Sequence, residues 1–127
     1  YGELRRDGLE VDRWNRLNPD KEAKQTWVET QLGNSKTPII AVSDNMAAVP
    51  DMVRKWMPEN YEVLGTDGFG RSDTREALRR FFEIDGVAVT LAALSQLVRK
   101  GDIEASVYQK AAKKFGISTK RNDITEL

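Results

Sequence analysis

The sequence predicts an α/β fold: a mostly parallel sheet flanked by helices. Three observations predict it. Ile39-Ile40-Ala41-Val42-Ser43 is a continuous apolar run, the pattern of a strand covered on both faces. Glu62-Val63-Leu64 is a second short strand, and segments of helical periodicity surround both. After the second strand comes Gly65-Thr66-Asp67-Gly68-Phe69-Gly70-Arg71-Ser72-Asp73, with three glycines in six residues and then helix-capping side chains. Glycine tolerates positive φ and close backbone approach, so this stretch reads as a tight turn between a strand and a helix start. In open α/β sheets, ligands and partners dock at that position.

Residues 3–17 predict the first helix, with Leu4, Val11, Trp14 and Leu17 on one face and Asn18-Pro19-Asp20 as its stop. Gly8 weakens its middle by about 1 kcal/mol relative to alanine. A short helix follows from Thr26 to Leu32, closed by Gly33-Asn34. Trp14 and Trp27 stand among charges and are expected to cover an edge of the core. Past the first strand, Ser43 or Asp44 is expected to cap a helix over 45–56, which Pro50 should kink or divide. Met46, Val49, Val53 and Met57 form its apolar stripe.

Downstream of the glycine turn, Ser72 or Asp73 with Glu76 approximates a capping box for a helix over 75–82. Asp85 caps a longer helix over 86–99 with Val87, Leu91, Leu94 and Val98 inward, although Val87, Val89 and Thr90 also suit a strand start. Lys100-Gly101 ends it. Asp102 is expected to cap the last helix, Glu104 to Phe115, whose Ala111, Ala112 and Phe115 face inward. One domain over 1–117 and a frayed tail over 118–127 complete the reading.

Composition excludes several chemistries. Twenty basic residues balance twenty acidic ones, so no basic stripe argues for nucleic acid and no polybasic helix for a membrane surface. The sequence has no cysteine and no histidine, which removes thiolate sites and the commonest general base and metal ligand. No apolar run approaches the roughly 18–20 residues of a membrane span, and a cytosolic location is the expectation. The spacing Gly65-x-x-Gly68-x-Gly70 matches neither the dinucleotide fingerprint nor the P-loop. Asp67 and Asp73 flank the one cation, Arg71, and disfavour an anion, so a packing turn is the expected role. The chain opens at Tyr1 inside helical sequence, and two strands are fewer than the three or more a stable sheet needs. The expectation is a piece of a longer chain whose first strand lies upstream.

The stretch Leu64-Gly-Thr-Asp-Gly-Phe-Gly-Arg-Ser-Asp-Thr-Arg-Glu-Ala-Leu-Arg79, followed by Phe82-Glu-Ile-Asp85, resembles the C-terminal domain of the bacterial homodimeric pyruvate dehydrogenases. So do Glu3-Leu-Arg-Arg-Asp-Gly8, Asp12-Arg-Trp-Asn-Arg-Leu-Asn-Pro19, Ala41-Val-Ser-Asp44 and the segment Leu91 to Ile103, in collinear order. Some members of that family carry a histidine where Asn18 stands. The resemblance implies a transketolase-like C-terminal domain. It also implies thiamine diphosphate and Mg2+ held by other domains, the remaining domains of the same chain, a second subunit and a dihydrolipoyl acetyltransferase core as partners. In such an enzyme, pyruvate is decarboxylated and the acetyl group passes to a lipoyl arm. On that reading Gly65, Asp67, Gly68, Phe69, Gly70, Arg71, Ser72 and Asp73 form an interdomain or dimer packing loop, and this chain carries no catalytic, cofactor or metal residue. Two alternatives stay open: a free-standing α/β module binding a small anion or nucleotide at residues 65–72, and a related 2-oxo-acid dehydrogenase.

Overall fold

The computed structural model describes residues 1–44, 46–66 and 75–117. The expected caps Ser72 and Asp73, the turn residues 67–71 and the tail 118–127 lie outside them. The described elements run α1 (Gly2–Leu17), α2 (Trp27–Leu32), β1 (Ile39–Val42), α3 (Ala48–Asp51), a 3-10 turn (Arg54–Trp56), β2 (Tyr61–Leu64), α4 (Arg75–Phe81), α5 (Gly86–Lys100) and α6 (Ala105–Lys114).

The two strands pair in parallel, Ile39 with Tyr61 through Val42 with Leu64. Alternation sends Ile39, Ala41, Tyr61 and Val63 to one face of the sheet. There Val28, Val53, Trp56 and Tyr61 form the buried core, with Leu4 and Met57 packed against it. The opposite face carries Glu62, whose carboxylate accepts from Gln96 Nε2 of α5 at 3.1 Å. Leu91 and Ala92 of α5 are buried. Helical segments therefore lie on both faces, the usual setting of parallel strands.

The strand at Ile39 ends at Val42, one residue short of expectation, and Val42 is exposed. The helix expected over 45–56 is divided. Pro50 sits in the first turn of α3, where a missing N–H costs nothing. Val53 then leaves helical geometry (φ −108°, ψ 1°) before the 3-10 turn. The residue preceding α3 is Ala47, with no side-chain cap, so neither Ser43 nor Asp44 caps it. Of the predicted stripe, Val53 is fully buried, Val49 and Met57 are half-buried, and Met46 points outward.

Leu17, at the last position of α1, is exposed, and Trp27 is 57% exposed rather than covering the core. Trp14 is half-buried with the Lys24 ammonium 4.1 Å from its ring centroid. Thr26, itself buried, builds a capping box with Glu29: Glu29 N–H donates to Thr26 Oγ1 at 3.1 Å, and Thr26 N–H to Glu29 Oε2 at 2.8 Å.

Asp85 caps α5 by accepting from Ala88 N–H at 2.9 Å, and the helix continues unbroken through the β-branched run. At its far end Gly101 takes φ +87°. Its N–H reaches Val98 O and that of Asp102 reaches Leu97 O, both at 3.0 Å, which closes a Schellman motif. Asp102 is thus part of a helix end, ion-paired with Lys100 at 3.2 Å, and does not cap α6. Glu104 precedes α6 without a side-chain cap bond. Ala111 and Ala112 are half-buried as expected, but Phe115, expected inward, is exposed.

Candidate functional site

At the carboxyl ends of the strands the backbone ladder runs one rung further, with Ser43 N–H donating to Leu64 O at 2.9 Å. The next residue, Gly65, lies against the loop after β1. A Cβ placed there would stand 2.5 Å from the Ala47 nitrogen and 2.7 Å from its Cα, so only glycine fits. Thr66 Oγ1 donates to Asp44 O at 2.7 Å and closes the junction from the other side. Asp44 also pairs with Arg79 of α4 at 3.8 Å, an exposed contact of little energetic weight.

The first glycine of the turn therefore serves a close approach inside this chain. Asp67, Gly68, Phe69, Gly70, Arg71, Ser72 and Asp73 lie outside the described residues. Among the described residues, no group of three or more potential metal-ligating side chains converges, and the whole sequence lacks histidine and cysteine. Among the described residues, the strand ends present a backbone junction held by the Thr66 hydroxyl.

Two clefts flank α5. One, of about 960 Å³, opens at the amino-terminal ends of the strands, with Lys36, Arg99 and Lys100 facing Glu59 and Glu62. Its Lys100 ammonium is already engaged by the Lys36 carbonyl and by Asp102. The other, of about 460 Å³, lies between β2, α5 and α6 over Leu64, Leu91 and Ala92, with Arg80 and Asp85 paired at its rim at 3.5 Å.

A polar contact joins α1 to the 3-10 turn. Asp12 accepts from Lys55 Nζ at 2.5 Å and from Trp56 Nε1 at 3.2 Å. The Lys55 hydrogen bond holds the Asp12 carboxyl below the usual carboxylate range, and the indole N–H adds to it against the cost of burial. Beside it, Gly8 lies under the indole, where a Cβ would come within 2.5 Å of Cζ2 and 2.6 Å of Cδ2 of Trp56. Sequence periodicity values Gly8 only as a helix defect. Its one sequence signal is a glycine retained mid-helix at a cost of about 1 kcal/mol, which points to a packing reason.

A parallel strand pair between helical layers, with a close glycine contact after the second strand, defines an α/β domain. The chain belongs to the transketolase-like TK C-terminal domain family, whose model matches residues 5–85. Among curated proteins it is 52% identical over 126 residues to a pyruvate dehydrogenase E1 component of Pseudomonas aeruginosa, covering 98% of this chain and 14% of that protein. It is 45% identical to the E1 component of Mycolicibacterium smegmatis over 92% of this chain, and 41% identical to that of Escherichia coli K12 over 92%, each match spanning 13% of the relative. The chain thus spans about one seventh of the length of these relatives.

Proposed function

We propose that this chain serves as the C-terminal domain of a pyruvate dehydrogenase E1 component, supporting subunit and interdomain packing without taking part in the chemistry. The observation that carries this is the 52% identity extending over 98% of the chain, with helices, strands and glycine turn included. In the assembled enzyme, pyruvate would be decarboxylated and a lipoyl group of the acetyltransferase core acetylated in the cytoplasm. The second subunit and the remaining domains would cover this one. Thiamine diphosphate and Mg2+ would be held elsewhere, because the residues present here do not fit them: there is no histidine, and the described carboxylates do not converge.

Calorimetric titration of the chain with thiamine diphosphate and Mg2+ tests the division of labour. No saturable heat is expected, and binding of one cofactor per chain overturns it. In the assembled enzyme, Gly70→Val in the expected packing loop should loosen the dimer, read by sedimentation, while cofactor affinity at saturating dimer concentration stays unchanged. A variant with an intact dimer and full turnover would remove the packing role.

A further inference from the structure

In a parallel pair, alternate residues of each strand turn their N–H and C=O toward the partner, and the residues between turn theirs away. Ile39 N–H donates to Asn60 O and Ser43 N–H to Leu64 O, both at 2.9 Å, which fixes the phase. In β2, the backbone groups of Glu62 and Leu64 therefore face β1, and those of Tyr61 and Val63 point off the sheet. Among the described residues β2 has one strand neighbour, β1. Tyr61 and Val63 thus form an outer edge, the kind of surface on which a further strand can add.

Both outward groups of Tyr61 are already engaged. Its N–H donates to Pro58 O at 3.2 Å, and its C=O accepts from Arg54 Nη1 at 3.0 Å. The guanidinium is held in turn. Arg54 Nε donates to Asp51 Oδ1 at 2.8 Å, Nη2 lies 2.6 Å from the same oxygen, and the guanidinium carbon is 5.4 Å from the Tyr61 ring centroid. The backbone that presents Arg54 is pinned from behind, because the next two residues, Lys55 and Trp56, both donate to Asp12 of α1. The opposite edge differs. Ile40 and Val42 turn their backbone groups off the sheet in the same sense, and among the described residues they meet no such clamp.

We infer that Arg54 closes the outer edge of β2 against pairing with a further strand, such as that of a second copy of this chain. A strand adding there must take the Tyr61 carbonyl from the guanidinium. It must also cover a half-exposed charge or push it aside, and covering a charge without a full set of partners is costly. Val63 alone then offers one N–H and one C=O, too few to build a ladder. A fixed cation at a strand edge is one of the means by which sheets avoid edge-to-edge association. Arginine suits the position because its planar fork reaches Asp51 and the Tyr61 carbonyl together, which a single ammonium does less well.

Sedimentation over a concentration series, with site-resolved hydrogen exchange, tests this. Arg54→Ala should raise the associated fraction about 5-fold over the wild-type chain at equal concentration, and should slow exchange of the Val63 amide about 10-fold in the associated species. Adding Val63→Pro to that variant should return association to the wild-type level, since proline removes the outward N–H and leaves the β1–β2 ladder intact. Arg54→Lys, which keeps the charge and loses the fork, should fall between, and it serves as the second variant if Arg54→Ala does not fold. Association unchanged in the Arg54 variants overturns the closure. So does association that Val63→Pro does not reverse, the result that general unfolding gives.

Discussion

The phenol of Tyr61, at the first position of β2, donates a 2.7 Å hydrogen bond to the carbonyl of Pro50 in α3. Both residues are buried, so one bond fixes the crossover helix onto the sheet it crosses. Tyr61→Phe leaves the Pro50 carbonyl without that donor, and urea melts should show a loss of about 1–2 kcal/mol.

The same residue predicts an alkaline limb. Burial, first among the causes, pushes the Tyr61 phenol up to about 12. The unfolded chain gives up that proton near pH 10, so it binds fewer protons than the native state between about pH 10 and 12. Stability from this group is complete below pH 10 and falls as pH rises toward 12. Urea midpoints measured from pH 9 to 12 should drop less steeply for Tyr61→Phe than for the wild-type chain.

Gly8→Ala should destabilise the chain although alanine is the better helix former. The gain in propensity is about 1 kcal/mol, against overpacking of about 1–3 kcal/mol when a methyl meets the Trp56 ring. The diagnostic is coupling: in a Trp56→Leu background, Gly8→Ala should become neutral or stabilising. An equal penalty in both backgrounds would mean the indole is not the obstacle.

Glu83 adopts φ +58° where α4 ends, with its N–H on Arg80 O at 3.2 Å and that of Ile84 on Arg79 O at 2.9 Å. This is a helix end built for glycine and occupied by a glutamate. Glu83→Gly should raise stability by about 0.5–1 kcal/mol by relieving the left-handed backbone. Thermal melts check it, and a fall would show that the carboxylate matters more than the strain.

Asp12 predicts behaviour in acid. Its carboxyl is held below its ordinary value, so its stability contribution is full above about pH 4 and is lost as pH falls below that. Asp12→Asn should be less stable at neutral pH and should lose less between pH 5 and 2 than the wild-type chain.

What the sequence made legible is what local chemistry decides. Asp85 and Gly101 bracket α5 because a short polar side chain and a left-handed glycine act within one turn. Both strands were readable from their short apolar runs, although of their residues only Tyr61 is buried. The misses depend on distant contacts: Gly8 is explained by Trp56, forty-eight positions away. Asp12, a surface charge on any helical wheel, is held by that same tryptophan and Lys55. Met46 and Leu17 fit apolar faces by spacing yet sit where α3 starts late and where α1 ends, and Trp27, expected to cover an edge of the core, sits where α2 begins. At the candidate site, Gly65 proves to be a contact glycine facing Ala47, which residue type alone does not distinguish from a flexible one.

Each rung of the β1–β2 ladder joins residues twenty-two positions apart. In time, then, the sheet cannot come first. Its opening rung must close a loop of that length before any neighbouring rung repays the lost chain entropy, whereas the turn from α5 into α6 closes over a few residues. Docking of Tyr61 and Trp56 around α3 shortens the path by folding the connection ahead of the strands it connects. The crossover would therefore act as the nucleus and the parallel pair as its product, and substitutions at Tyr61 or Trp56 should slow folding more than they speed unfolding.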